Sequence, residues 1–177
     1  MIFESHAHYD DEAFDPDRRE LLEECRAQRI EYIVNVSASL QSVKTTLALA
    51  DSYDFIYAAA GVHPSEVGEL NEESFTWLKE QCRHPRTVAV GEIGLDYYWD
   101  KENHETQKYW FQRQLELAKE LELPIIVHSR DACADTLEEI KKAHRPELRG
   151  VIHCFSYAPE IAREYLDMGY YIGVGGV

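Results

Sequence analysis

An α/β barrel of the TIM (β/α)8 type, with about seven of its βα units present, is the fold the sequence predicts. Three observations carry the prediction. Short apolar or β-branched runs alternate with amphipathic stretches along all 177 residues, at intervals too long for hairpins. The strands should therefore be parallel, with right-handed crossovers. The alternation never changes pattern, which favours a barrel over a doubly wound sheet, and the polar residues gather at the C-terminal ends of the strands, where barrels build their active sites. A complete barrel takes roughly 250 residues and eight strands. The chain reads as a single domain, 1–177, whose barrel stops after the seventh strand.

The elements follow in order. Residues 1–6 form a first strand, and Asp15-Pro16 opens a helix, with an acid at the cap and proline at the first helical position. Leu21, Leu22 and Cys25 mark its buried stripe. A strand at 30–36 is followed by a helix at 40–51 and a third strand at 55–60. Asn71 caps the next helix, with Phe75 and Leu78 facing inward. The fourth strand is 87–90, and the longest helix, 104–121, carries Phe111, Leu115, Ala118 and Leu121 near helical spacing before Pro124. A fifth strand at 125–127 ends in His128, a helix spans 133–143, and a sixth strand at 150–152 ends in His153. Residues 159–167 are helical and 169–177 form the seventh strand.

Composition narrows the class. The chain is 45% hydrophobic with a mean hydropathy of −0.45, fitting one soluble domain with a core of its own. It holds no apolar run of membrane-spanning length, and it enters its first strand directly without a secretory segment. Cys25, Cys82, Cys133 and Cys154 form no CxxC pair, so neither a disulfide framework nor a cysteine zinc site is expected and a cytoplasmic location is the simplest. A net charge of −15 argues against a protein that coats nucleic acid, but not against an enzyme with a locally positive pocket.

The organising stretch is TVAVGEIGLDYY, residues 87–98. Here a buried β-run meets Glu92 between Gly91 and Gly94. A carboxylate at the end of a buried strand needs positive partners; the bland alternative is a structural or capping glutamate. His6 and His8 stand two apart on the first strand and so share a face, though an isolated HxH is equally compatible with two satisfied polar histidines. Glu92, His128 and His153 each follow an apolar β-run. Strands delivering His, His, Glu, His and His to one rim point to a centre for a divalent metal such as Zn²⁺, Mn²⁺ or Fe²⁺, with Mg²⁺ also compatible.

These residues lie in motifs that resemble the TatD-type metal-dependent hydrolases, a deoxyribonuclease family of the amidohydrolase-like barrels. The motifs are ESHAHYD at 4–10, GVHP at 61–64, GEIGLDYY at 91–98, the stretch through PIIVHSRDA ending at Ala132, and HCFS at 153–156. The resemblance implies that His6 and His8 bind one divalent ion, that Glu92 bridges two, and that His128 and His153 bind the second. It places His63 at the substrate phosphate, though a turn histidine before Pro64 is the plain alternative. Arg130 is either a phosphate ligand or a structural ion-pair partner, Asp96 an orienting group, and Asp131 a helix cap. The implied cofactors are two divalent ions (Mg, Mn or Zn). They would activate a water for phosphodiester hydrolysis on single-stranded DNA, trimmed from an end, with Glu92 and His63 catalytic, no membrane association and no obligate protein partner. Tyr97, Tyr98 and Trp99 either stack on bases or pack under their loop.

Three features depart from the family pattern. Glu4 replaces the usual aspartate, and Tyr157 replaces a glycine after HCFS. The family's last-strand aspartate has no counterpart in the 177 residues, which supports a further reading as an inactive metal-binding fragment. Related barrels suggest another, an amide or ester hydrolase on the same centre such as a deacylase of mischarged transfer RNA; those relatives often carry a carboxylated lysine where Glu92 stands, and its absence here favours the phosphodiesterase.

Overall fold

A computed structural model of the chain describes residues 2–175. The predicted first and seventh strands also include Met1, Gly176 and Val177, which lie outside the described residues. The strands are β1 (Ile2–Ala7), β2 (Ile30–Val36), β3 (Ile56–Ala59), β4 (Thr87–Asp96), β5 (Ile125–Arg130), β6 (Gly150–Ile152) and β7 (Tyr171–Ile172). Between them run helices α1 (Arg18–Ala27), α2 (Leu40–Ser52), α3 (Glu72–Gln81), α4 (His104–Leu121), α5 (Cys133–Ala143) and α6 (Pro159–Asp167). All the described strand pairs are parallel, and the sheet order is β1-β2-β3-β4-β5-β6-β7. None of the helices among the described residues is long and apolar enough to cross a membrane.

The sheet curls. Neighbouring strands lie about 4.8 Å apart, so the ends of β1 and β6 would stand more than 20 Å apart on a flat sheet. Instead, the ring of His6 on β1 lies 3.4 Å from that of His153, just past β6. Seven parallel strands thus wrap most of the way round a TIM-type barrel.

Residue alternation builds a core on each face. Ile33, Ile56, Ala58, Val90, Ile93, Leu95, Ile125 and Val127 face outward onto helix residues such as Leu22, Val43, Leu78, Phe111 and Ile140. Their neighbours Val34, Val36, Ala59, Ala89 and Ile126 form a second cluster inside the curl. That inner face lines a cavity of about 560 Å³, which Phe3 and Tyr171 border on the terminal strands. Cys25, Cys82, Cys133 and Cys154 are free thiols.

Several boundaries differ from expectation. Asp15-Pro16 does not open the first helix: Asp15 closes a short 3-10 turn, Glu12–Phe14, and α1 begins at Arg18 after Asp17. The Arg18 side chain donates to the carbonyls of Tyr9 and Asp11 and to the Asp15 carboxylate, which keeps the preceding segment in turns. β4 does not stop at Val90 but runs on to Asp96, and β5 runs through His128 to Arg130. Asp131 makes no cap. Its φ is +54°, and Ala132 occupies the cap position of α5 without a side-chain hydrogen bond. Asn71 does cap α3, in a reciprocal box with Ser74.

Candidate metal centre

His6 comes from β1, and His8 follows its last residue. The Glu4 carboxylate accepts from the His6 backbone N–H at 3.0 Å. His8 Nδ1 donates to the Val36 carbonyl at 2.7 Å. A carbonyl only accepts, so Nδ1 carries the proton and the Nε2 lone pair is left for the site. His8 Nε2 lies 3.0 Å from His6 Nε2.

Glu92 stands at the centre, within β4 rather than at its end. The regular pairing with β5 breaks between Val90 and Ile93. There the Glu92 N–H donates to the Ser37 carbonyl at 2.9 Å, and the Gly91 N–H donates to Ala60 at 3.2 Å. The flanking glycines permit close approach rather than a turn. A Cβ at Gly91 would lie 2.7 Å from Ile126 Cβ; one at Gly94, where φ is +145°, would collide with the His128 carbonyl.

The two oxygens of Glu92 face different partners. Oε2 lies 3.3 Å from His6 Nε2 and 3.7 Å from His8 Nε2. Oε1 lies 3.0 Å from His128 Nδ1, whose other nitrogen meets Asp96 Oδ2 at 2.9 Å. His153 stacks on His6, and His63 approaches His128 edge-on with ring centres 4.3 Å apart. Ligand atoms of His6, Glu92 and His153 lie within 4.8 Å of one another, as do those of His63, Asp96 and His128. All five predicted ligands therefore meet, but His153 groups with His6 and His128 groups with Asp96 and His63.

The electrostatics follow from this packing. Burial alone would push the Glu92 carboxyl up; hydrogen bonds from His128 and His6 outweigh it and hold the group well below the usual carboxylate range. Burial pushes His63 and His153 down to about 4, which leaves both imidazoles neutral near pH 7. Burial also opposes protonation of His128, but the Glu92 and Asp96 carboxylates prevail and raise it.

His63 occupies the turn before Pro64. It caps the short 3-10 helix Pro64–Glu69, and its Nδ1 accepts from the Ser65 N–H at 3.2 Å. Nδ1 therefore offers a lone pair, and the neutral ring carries its proton on Nε2. Arg130 makes no ion pair among the described residues; its guanidinium lies 3.9 Å over the Tyr98 ring. Tyr157, the bulky replacement after HCFS, turns its hydroxyl to Ser129 at 2.9 Å.

Sequence reasoning missed the residues that brace the centre. Gln107 and Gln114 are buried on α4, seven residues apart. Gln107 accepts from the Asp96 N–H at 2.8 Å and donates to the Asp96 carbonyl at 3.0 Å. Gln114 grips Val62, next to His63, in the same way at 2.8 and 3.1 Å. Asn35, also buried, accepts from Tyr9 N–H and donates to Asp10 and Thr46, fixing the segment after His8. The readable signal was two amides at helical spacing on the face that carries Phe111 and Leu115.

The residues present fit divalent cations. His6 Nδ1 is buried with no hydrogen-bond partner, and the Nε2 atoms of His6 and His8 converge on one carboxylate oxygen. A set of nitrogen donors around a buried carboxylate suits Zn²⁺ or Mn²⁺.

Comparison with known proteins shows the family to which this fold belongs. Residues 3–177 match the family model described as TatD related DNase. The chain belongs to this family. It is 41% identical over 176 residues to the uncharacterized metal-dependent hydrolase YabD of Bacillus subtilis, covering 99% of this chain and 69% of the relative. It is 34% identical over 163 residues to the 3'-5' ssDNA/RNA exonuclease TatD of Cronobacter sakazakii, covering 92% of this chain and 62% of that one. The crystal structure of the TatD homolog YjjV from Escherichia coli superposes with a TM-score of 0.92 at 33% identity, covering 99% of this chain and 68% of that one. The chain thus spans about two-thirds of the length of these relatives.

Proposed function

We propose that the chain carries a two-metal centre for phosphodiester hydrolysis on single-stranded nucleic acid, DNA in the first instance, digested from an end. The observation that carries the proposal is Glu92: it is 5% exposed, with one oxygen turned to His6 and His8 and the other to His128. His6, His8, Glu92, His128 and His153 are the residues that would hold two divalent ions, Mg, Mn or Zn. When bound, such ions supply an acidified water and offset the charge of the phosphodiester.

The chain's own groups have separable tasks. Glu92 stays ionised despite burial because its imidazole partners favour the carboxylate. Glu4 and the Val36 carbonyl orient His6 and His8, and Asp96 orients His128. His63, neutral with its proton on Nε2, donates that proton as a hydrogen bond to a phosphate oxygen. The Cronobacter relative, named for 3'-5' exonuclease action on single-stranded DNA and RNA, supports the choice of substrate and of attack from an end.

The test is cleavage of an end-labelled single-stranded oligonucleotide with Mg²⁺ or Mn²⁺. A ladder shortened from one end, abolished by chelator and by Glu92→Ala, is the expected result. Cleavage that survives both treatments would sink the proposal, as would a metal-loaded chain that leaves the strand intact.

A further inference from the structure

Just beyond β4, the chain presents a feature that the metal centre does not use. Tyr98 is 44% exposed and Trp99 is 69% exposed, with ring centres 4.8 Å apart and planes at 88°. Arg130, at the end of β5 and in register with Asp96, lies 3.9 Å over the Tyr98 ring and 5.6 Å from that of Trp99. In a chain of net charge −15, this arginine makes no ion pair among the described residues. Tyr97 behaves differently: it stacks on His104 at 3.6 Å and donates its hydroxyl to Asp135 at 2.7 Å. Of the three aromatics, one is used in packing and two are left open.

Their position is tied to the candidate centre through one carboxylate. Asp96 Oδ1 accepts from the N–H groups of Tyr98 and Trp99 at 3.0 and 2.9 Å, while Oδ2 meets His128 Nε2 at 2.9 Å. Gln107 clamps the backbone of Asp96 from below. The loop carrying the aromatics is therefore fixed by the same carboxylate that orients His128.

We propose that Trp99, Tyr98 and Arg130 form a stacking platform for an unpaired nucleobase of the strand whose phosphate lies at His63; this rests on the phosphodiesterase reading. Every base has a π-face, so stacking on an indole is tolerant of sequence and is worth enough to change affinity about tenfold or more. The guanidinium adds a planar cation beside the phosphate backbone in a chain whose net charge is −15. Bases paired within a duplex cannot offer a free face, so the platform selects single strands.

The experiment titrates the protein with oligothymidylate and with an abasic oligomer of equal length, in chelator so that neither is cut. Intrinsic tryptophan fluorescence and the anisotropy of a labelled strand are both read. Oligothymidylate should quench wild-type fluorescence and the abasic strand should not. Trp99→Phe should lose the quenching while keeping affinity within about threefold, and Trp99→Ala should weaken oligothymidylate about tenfold with little effect on the abasic strand. Trp99→Ala binding both strands like wild type, quenching that persists in Trp99→Phe, or a wild-type protein that binds neither strand would each overturn the platform. Cleavage of the same strands under Mn²⁺ separates this idea from the reading beneath it. Thymidylate binding through Trp99 without cleavage would refute hydrolysis and keep the platform. Cleavage of both strands at equal rates, unchanged in Trp99→Ala, would refute the platform and keep hydrolysis.

Discussion

Replacing Gln114 with leucine removes two hydrogen bonds and almost no volume. The amide is 1% exposed, and it satisfies both the N–H and the carbonyl of Val62, itself fully buried. Leucine leaves both backbone groups unpartnered. Each orphaned buried group costs about 1–3 kcal/mol, so the pair sets a loss of roughly 2–6 kcal/mol, from which the added apolar burial subtracts about 1 kcal/mol. With a urea m-value of about 2 kcal/mol per molar, the midpoint should fall by roughly 0.5–2.5 M with the slope unchanged. Gln41→Leu, on the exposed face of α2, is the control and should shift stability by less than about 0.5 kcal/mol. Equilibrium urea unfolding by circular dichroism reads both. A midpoint for Gln114→Leu no lower than that of the control would refute the reasoning that α4 holds the His63 segment through this amide.

Three other outcomes follow from the site. Gly94→Ala puts a methyl group against the His128 carbonyl at a φ of +145°, so it should cost at least about 3 kcal/mol and lower the melting temperature by roughly 6–12 °C in a thermal scan. Under the role proposed for its Nε2–H at the substrate, His63→Ala should cut turnover about 100-fold with metal content unchanged; loss of metal, read by elemental analysis, would make it a ligand instead. Asp96→Asn keeps the shape but weakens the hold on His128, and metal affinity by calorimetry should fall about 10- to 100-fold while Gln107 continues to grip the backbone.

Periodicity made most of the barrel legible, because each strand and helix buries one face and shows it. The runs Ile30–Val36, His104–Leu121 and Cys133–Ala143 stand where their apolar spacing puts them. Gly91 and Gly94 misled: glycine usually breaks a strand, but here it lets Ile126 and the His128 carbonyl come close, and β4 continues to Asp96. Asp15-Pro16 carried a helix-start pattern that Arg18 overrides by holding the preceding carbonyls in turns. That His6, His8, Glu92, His128 and His153 come together was readable because each stands on or just past a strand. How His153 and His128 divide between neighbours was not, since that depends on how far the sheet curls. Gln107, Gln114 and Asn35 were invisible for another reason, since a polar side chain on a helix or strand looks solvated until its backbone partner is known.

Titration with Mn²⁺, followed by calorimetry and by paramagnetic resonance, tests the Glu92-centred site most directly. The wild-type chain should take up two ions, and Glu92→Gln, which keeps the shape but removes the shared charge, should weaken both by at least about 100-fold. Equal uptake by the two proteins, or no uptake by either, would contradict a metal centre organised on Glu92.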